Sequence, residues 1–321
     1  MWKSNIKSQE PTTTDRPRLP PRPADGHKGT FGTVLVVGGQ AASPQIMLGG
    51  PALAALGALR SGAGLAVLGV PEPLIGAVLT VAPSATGLAL PVDERGCLVP
   101  SGVAELLDTH LPKVDAVAVG PAFGAGRSQQ RIMVRLVGFA DRPLIIDADG
   151  LNALAQVEQL HRDFRAAAVL TPHPGEYARL AKALGIEADP VEPAGRPDAA
   201  EQLARRLGCV VVLKGPGTIV TDGLTTWTNT TGNVALATAG TGDVLTGVIA
   251  GLAAQYFRPA SAAGGLSLLD CARLGVHLHG LAADLWSARC GLAGMLATDL
   301  LDEIPAAVAR LRDREEVSPQ R

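Results

Sequence analysis

T-V-L-V-V-G-G, residues 33–39, is an almost unbroken apolar run that ends in two glycines, and its reading decides the fold. A strand with one wet face alternates apolar and polar residues. A run without alternation is buried on both faces, as in a parallel sheet covered by helices. Five more stretches have this character: G-L-A-V-L-G-V (64–70), A-V-A-V-G (116–120), P-L-I-I-D-A-D-G (143–150), A-V-L-T-P-H (168–173) and V-V-V-L-K-G (210–215). Helix-periodic segments accompany them at 46–62, 128–140, 151–160, 175–184, 198–207, 243–256 and 264–287. The alternation predicts an α/β fold, a mainly parallel central sheet with helices on both faces. After Lys214 the pattern changes to T-I-V-T-D-G and T-T-W-T-N-T, which predicts an antiparallel hairpin at the sheet edge.

No internal repeat or long linker interrupts residues 28–305, so they are expected to form a single domain. Residues 1–27, with prolines at 11, 17, 20, 21 and 23 among scattered charges, are expected to be a poorly ordered arm, and 306–321 a charged C-terminal tail. Of the 321 residues, 47% are apolar and 18% charged, with 38 glycines. Mean hydropathy is +0.22. A formal net charge of -2 argues against nucleic acid or an anionic membrane as partner and favours small-molecule substrates. Cys97, Cys209, Cys271 and Cys290 show no C-x-x-C spacing and read as reduced thiols of a cytoplasmic protein. The first ten residues lack a signal-peptide core, and the uncharged stretch 73–92 is broken by Pro83 and hydroxyl residues, unlike a membrane span.

Ligands of open α/β sheets sit at the carboxyl ends of the strands. Here those ends read V-V-G-G, A-V-G-P, D-A-D-G-L-N, T-P-H-P-G-E and L-K-G-P-G-T, all polar or turn-forming, and they predict one crevice. Gly240-Thr241-Gly242-Asp243 joins them as a glycine turn that runs into an apolar helix, where unpaired N–H groups converge and attract an anion. A carboxylate beside an anion hole needs a purpose of its own. Asp243, expected to stay ionised with help from the helix dipole, is a candidate general base; the competing role is a cap on its own helix.

Thr171 to Glu176 frames His173 and Glu176 with prolines. His173 is a candidate for a substrate amide or phosphate, and Glu176 for a Mg²⁺-bound water; a strand-end cap and a favourable helix-dipole position are the structural alternatives. Asp147, Asp149 and Asn152 emerge where P-L-I-I leaves the core and suit water-bound Mg²⁺ or a substrate hydroxyl, against an N-cap role for Asp149. Lys214 offers a point charge to nucleotide phosphates, or is a solvated strand-end lysine. Of the six histidines only His277 and His279 have metal-ligand spacing, and these alternate and would point opposite ways on a strand or sit askew on a helix, which argues against a zinc site. Neither a Walker A sequence nor G-x-G-x-x-G after the first strand is present.

Taken together, K-G-T-F-G-T-V-L-V-V-G-G (28–39), G-A-L-R-S-G-A-G-L (57–65), D-A-D-G-L-N-A-L (147–154), L-T-P-H-P-G-E (170–176), V-V-L-K-G (211–215), N-T-T-G-N-V-A-L-A-T-A-G-T-G-D-V-L-T-G (229–247) and H-L-H-G-L-A-A-D (277–284) closely resemble the ADP- or ATP-dependent NAD(P)H-hydrate dehydratases of the ribokinase-like superfamily. The resemblance implies a ribokinase-like fold and a repair reaction: a nucleotide phosphorylates the hydroxyl of (6S)-hydrated NADH or NADPH, and loss of phosphate regenerates the reduced nicotinamide. By position it implies Asp243 as base, and substrate contacts at Ile46, Gly120, Gly124, His173 and Asp243. It implies nucleotide contacts at Lys214, Gly215, Pro216, Gly217, Thr218, Gly240, Thr241 and Gly242, and Mg²⁺ near Asp149 and Glu176 through water. A homotetramer and a separate epimerase are implied as well.

Two departures from the family pattern add bulk. Pro44-Gln45-Ile46 stands where relatives usually have P-G-A, and Gly120-Pro121-Ala122-Phe123-Gly124 where they have G-P-G-L-G. Two alternatives stay open on the sequence: a ribokinase-like kinase of a hydroxymethyl-pyrimidine or thiazole alcohol, and a nucleotide-binding protein without turnover.

Overall fold

The computed structural model describes residues 17–139, 141–257 and 265–316. Nine strands form one sheet: β1 (Thr33–Val37), β2 (Leu65–Pro71), β3 (Thr86–Leu90), β4 (Ala116–Val119), β5 (Leu144–Ile146), β6 (Ala168–Leu170), β7 (Val210–Leu213), β8 (Ile219–Thr221) and β9 (Thr226–Thr228). Their order is β3-β2-β1-β4-β5-β6-β7-β8-β9. Every pairing from β3 to β7 is parallel, and β7-β8-β9 is antiparallel, so both the sheet and the edge hairpin form as expected.

Between and after the strands run α1 (Gly49–Arg60), α2 (Ile75–Val81), α3 (Pro100–His110), α4 (Arg127–Phe139), α5 (Ala148–Leu154), α6 (Leu160–Asp163), α7 (Pro174–Leu184), α8 (Arg196–Leu207), α9 (Thr241–Tyr256), α10 (Leu268–Cys290) and α11 (Ala297–Glu316). Two cores flank the sheet. Val34, Val36, Ala116, Ala118 and Ile145 face α1, α9, α10 and α11. Leu35, Val37, Val117, Val119 and Ile146 face the side of α3, α4, α5, α7 and α8. Successive side chains of one strand thus enter opposite cores, which is why β1 and β4 show no polar alternation.

Five elements escape the sequence pattern: β3, α2, α3, α6 and α11. β3 is an edge strand with a largely exposed face and an internal Gly87, so it lacks the apolar run that marks the inner strands. The expected boundaries also shift. Of the arm, residues 1–16 lie outside the described residues, but 17–27 lie against the domain: Leu19 is buried, and the Arg22 guanidinium donates to Gly62 O (2.8 Å) and stacks 3.4 Å from the Phe31 ring centroid. The expected tail begins inside α11, where Ala307 and Leu311 are buried and Arg312 donates to Pro20 O (3.1 Å). Arginines that lay their stems on apolar surface make both segments look like solvated chain in the sequence. Residues 317–321 lie outside the described residues. Among the described residues no helix is long and apolar enough to cross a membrane.

α9 packs on β1, β4 and β5 and is pressed against α1 by glycine. A Cβ on Gly247 would lie 2.0 Å from Ala54 O, and one on Gly57 2.7 Å from Val244 O. Elsewhere in a helix Gly→Ala gains about 1 kcal/mol. Here the methyl meets backbone, and overpacking of about 1–3 kcal/mol wins. Gly247→Ala is therefore expected to lower the denaturation midpoint; an unchanged or raised midpoint would show that the two helices are not in contact at this position.

Candidate active site

The polar strand ends do converge, and Asp147 is their centre. It leaves β5 with 1% of its surface exposed. Its Oδ1 lies 2.6 Å from Lys214 Nζ, which follows β7, and its Oδ2 accepts from Thr246 Oγ1 at 2.7 Å, one turn into α9. The approach depends on Gly120, whose φ of 117° is open to glycine and where a Cβ would lie 1.9 Å from Asp147 O. Gly120 thus packs the loop after β5. That role is enough to require glycine at this position.

Lys214 Nζ also lies 3.7 Å from Glu176 Oε2. Burial works against its charge, but Asp147 and Glu176 outweigh this and hold its pKa above the ordinary lysine value. It is not a solvated lysine. Glu176 is buried, and burial raises its pKa, with Lys214 opposing and Asp147 adding to the rise. Its Oε2 accepts from His173 N (2.7 Å), while His173 Nδ1 accepts from Gly175 N (3.0 Å), a reciprocal capping box at the start of α7. The capping alternative is therefore realised for both residues. It leaves one thing over: with Nδ1 accepting, the neutral ring carries its hydrogen on Nε2, 3.4 Å from Glu176 Oε1, on a side chain 50% exposed.

α9 begins with Gly240 as its N-cap at φ 89°, so Asp243 is not the capping residue. The first intrahelical bond is Val244 N to Gly240 O (3.1 Å), which leaves the amides of Thr241, Gly242 and Asp243 ahead of it. The Thr241 hydroxyl turns inward to Leu236 O and Thr238 O, so only its backbone faces the turn's mouth. His279 Nε2 donates to Thr241 O (2.8 Å) from α10; burial first, then Lys214, drives its pKa to about 4 and keeps it neutral. A Cβ on Gly242 would lie 3.5 Å from Lys214 Nζ, which places the ammonium beside the turn.

Asp243 differs from expectation. Burial, and next the charge of Asp147, raise its carboxyl to about 7, against the pull of Lys214, so it is not firmly ionised at neutral pH. The helix dipole is a weaker influence than desolvation next to another carboxylate. Among the described residues its carboxylate accepts no hydrogen bond; a Cβ on Gly50 of α1 would lie 3.2 Å from its Oδ1 and from the Ala122 methyl. Sequence reasoning missed Gly50 and Thr246 as neighbours, whereas the bulk it expected in the turn after β4 is supplied there by Ala122. Only Thr246, one turn after Gly242 in G-T-G-D-V-L-T, carried a signal.

The turn after β4 corrects the bulk argument. Phe123 is 0% exposed and fills the core beneath the turn, so its ring does not narrow the site. Ala122 is the intrusive residue, held at φ 53°, a left-handed conformation that costs a non-glycine residue about 1–2 kcal/mol. Gly124 N donates to Asp149 Oδ2 (2.8 Å), and Asn152 Nδ2 to Asp149 Oδ1 (3.1 Å). Both oxygens of Asp149 are thus engaged, as is Glu176, and no group of three His, Cys, Asp or Glu side chains among the described residues is arranged to hold a metal. The donor set fits a Mg²⁺ met through water and does not fit one chelated by the chain.

Two clefts flank this turn. One of about 240 Å³ is lined by Gln40, Ala41, Gly96, Cys97 and Arg127, with the first loop braced by Gln40 Nε2 to Gln45 O (3.0 Å). Ile46 is 62% exposed and is not part of its lining. The other, about 740 Å³, is lined by Asn152, Gln156, Arg179 and Lys182. Neither includes Asp243, so the titratable cluster and the open space adjoin without coinciding. Gly215, Pro216 and Gly217 form an exposed turn between β7 and β8, closed by Thr218 Oγ1 to Gly215 O (2.9 Å).

The NAD(P)H-hydrate dehydratase family model matches residues 34–306. The bifunctional NAD(P)H-hydrate repair enzyme Nnr of Moorella thermoacetica is 39% identical over 303 residues, 94% of this chain and 54% of that enzyme, so the chain spans about half the length of this relative. The crystal structure of the ADP/ATP-dependent NAD(P)H-hydrate dehydratase of Bacillus subtilis, co-crystallised with ATP and Mg²⁺, superposes with a TM-score of 0.72 at 31% identity, over 92% of this chain and 95% of that one. A ribokinase-like superfamily protein of Enterococcus faecalis gives 0.71 at 24% identity over 91% of each chain, a likeness of fold alone. The match runs through every strand end that builds the crevice and through the turn that opens α9. The chain belongs to the NAD(P)H-hydrate dehydratase family.

Proposed function

We propose that this chain uses ADP or ATP to dehydrate (6S)-hydrated NADH or NADPH. One observation carries the reading: a carboxyl group that titrates near 7, Asp243, stands in the first turn of α9 beside unpaired amides and next to the Lys214 ammonium. A general base works best with a pKa near the operating pH, and amides fixed in advance hold a phosphoryl group without reorganising.

In this mechanism Asp243 takes the proton from the substrate hydroxyl as its oxygen bonds the terminal phosphorus of the nucleotide. The bond from that phosphorus to the nucleotide's bridging oxygen breaks, releasing AMP from ADP or ADP from ATP. The electron pair of the ring nitrogen then expels the phosphate, and loss of a proton from the adjacent carbon completes the double bond of NAD(P)H. The amides at Gly240 to Gly242 hold the transferred group; Lys214, Gly215, Pro216, Gly217 and Thr218 hold the rest of the nucleotide. Ile46, Gly120, Gly124 and His173 contribute to the substrate side, with the His173 Nε2–H offered to it. Mg²⁺ carried on the phosphates would neutralise their charge, with Asp149 and Glu176 reaching only its waters. A cytoplasmic homotetramer completes the reading.

Asp243→Asn keeps size and fold and removes basicity. It is expected to retain nucleotide binding and to lose about a hundred- to ten-thousandfold in rate on hydrated NAD(P)H. Turnover within a few-fold of wild type would assign the proton to another group. In the wild type the rate is expected to rise with pH through about 7 as Asp243 deprotonates. Asp147→Asn removes a negative neighbour that raises that pKa, so the acid limb is expected to move to lower pH; a limb that stays or moves upward contradicts the assignment. His173→Asn preserves the cap but not Nε2, and should raise KM for the hydrated cofactor without altering the shape of the pH profile. Loss of one limb would instead make His173 a proton carrier.

A further inference from the structure

Arg196 opens α8 with 6% of its surface exposed. Other buried cations have an acid: Lys214 has Asp147, and Arg273 has Asp270 at 3.7 Å. Arg196 has no ion-pair partner among the described residues. Its neighbouring acids are engaged elsewhere, Glu192 with Gly195 N (2.8 Å) and Asp198 with Gln202 Nε2 (2.7 Å). The guanidinium donates instead to three carbonyls: Nη1 to Pro190 O (3.0 Å), and Nη2 to Leu213 O (3.0 Å) and Lys214 O (3.3 Å). Nε finds no acceptor among the described residues.

Carbonyl bonds alone do not call for an arginine. A neutral amide side chain also donates to carbonyls, whereas burying a charge without a counter-charge costs several kcal/mol. Its position says what offsets that cost. A Cβ on Gly215 would lie 3.1 Å from both Nη1 and Nη2, so any other residue there would cover the guanidinium, and Gly215 at φ 141° leaves it just beneath the exposed Gly215–Gly217 backbone. We propose that Arg196 supplies the fixed positive charge of the β7–β8 turn and binds the phosphate chain of the nucleotide from beneath that backbone. The proposal rests on reading residues 214–218 as the nucleotide turn. It makes Arg196 a binding residue that takes no part in proton transfer. It also explains a buried cation that burial pushes toward a lower pKa and that no acid among the described residues neutralises.

The test compares dissociation constants for ADP and for adenosine, read by thermal unfolding and by calorimetry, in wild type, Arg196→Gln and Arg196→Lys. Gln keeps donors for the carbonyls but no charge; Lys keeps the charge but not the fork. ADP binding is expected to weaken about tenfold or more in R196Q and to stay within about threefold in R196K, with adenosine affected less than about twofold in both. If R196Q weakens ADP and adenosine alike, or weakens neither, Arg196 is only a staple for the turn and the proposal fails. Should R196Q not fold, R196K decides: a retained preference for ADP over adenosine supports the proposal, and a lost preference overturns it. Wild type that binds no ADP removes both the nucleotide turn and this role for Arg196. ADP binding without dehydration of hydrated NAD(P)H would overturn the dehydratase reading alone.

Discussion

Asp147 is a nearly inaccessible carboxylate whose two oxygens are held by two distant parts of the chain, Lys214 after β7 and Thr246 in α9. Removing one partner of a buried ion pair costs about 3–5 kcal/mol, since it leaves the other charge stranded. This interaction therefore fixes how the end of β5, the end of β7 and the first turn of α9 sit relative to one another. Gly120 lets the loop after β5 come close enough for it to form. The place of the ammonium beside the first-turn amides of α9, and part of the carboxyl environment of Asp243, follow from where Asp147 stands.

α9 must also be held along its length for its first turn to be a rigid site. That is done from the opposite face, where Gly57 and Gly247 bring the backbones of α1 and α9 together. The same α1 presents Gly50 to the Asp243 carboxylate, so the helix that braces the site also shapes it. Small residues serve two ends here, tight packing below and room for a ligand above.

Charge is distributed unevenly around this crevice. Asp147, Glu176 and Asp243 face one ammonium, Lys214, and burial, with the charge of Asp147 next, pushes Asp243 toward the neutral range. On the proposed reading, a phosphate chain entering this site is met by the divalent ion it brings and by the guanidinium of Arg196 under the neighbouring turn. On the same reading, a carboxyl with raised pKa and the amides that receive an anion share one helix terminus, with the Lys214 ammonium beside both.

The parallel sheet was legible in T-V-L-V-V and its counterparts because a strand buried on both faces must be apolar at every position, and that is a local property. The convergence of polar groups was legible for the same reason, since they appear where each strand leaves the core, but the sequence expects one crevice where the structure has two clefts beside the cluster. The glycine turn before α9 and the carboxylate within it could be named from G-T-G-D alone. What only the tertiary structure decided are quantities that depend on neighbours far away in the chain. Phe123 points into the core while Ala122 faces the site, although they are adjacent in sequence. Burial, and next the charge of Asp147 almost a hundred residues earlier, raise the Asp243 carboxyl to about 7, and Arg196 lies under Gly215 through folding that no local pattern records. Burial and pairwise charge are sums over space, so a sequence can supply the groups of a site without stating their proton affinities or which of them remain unpaired.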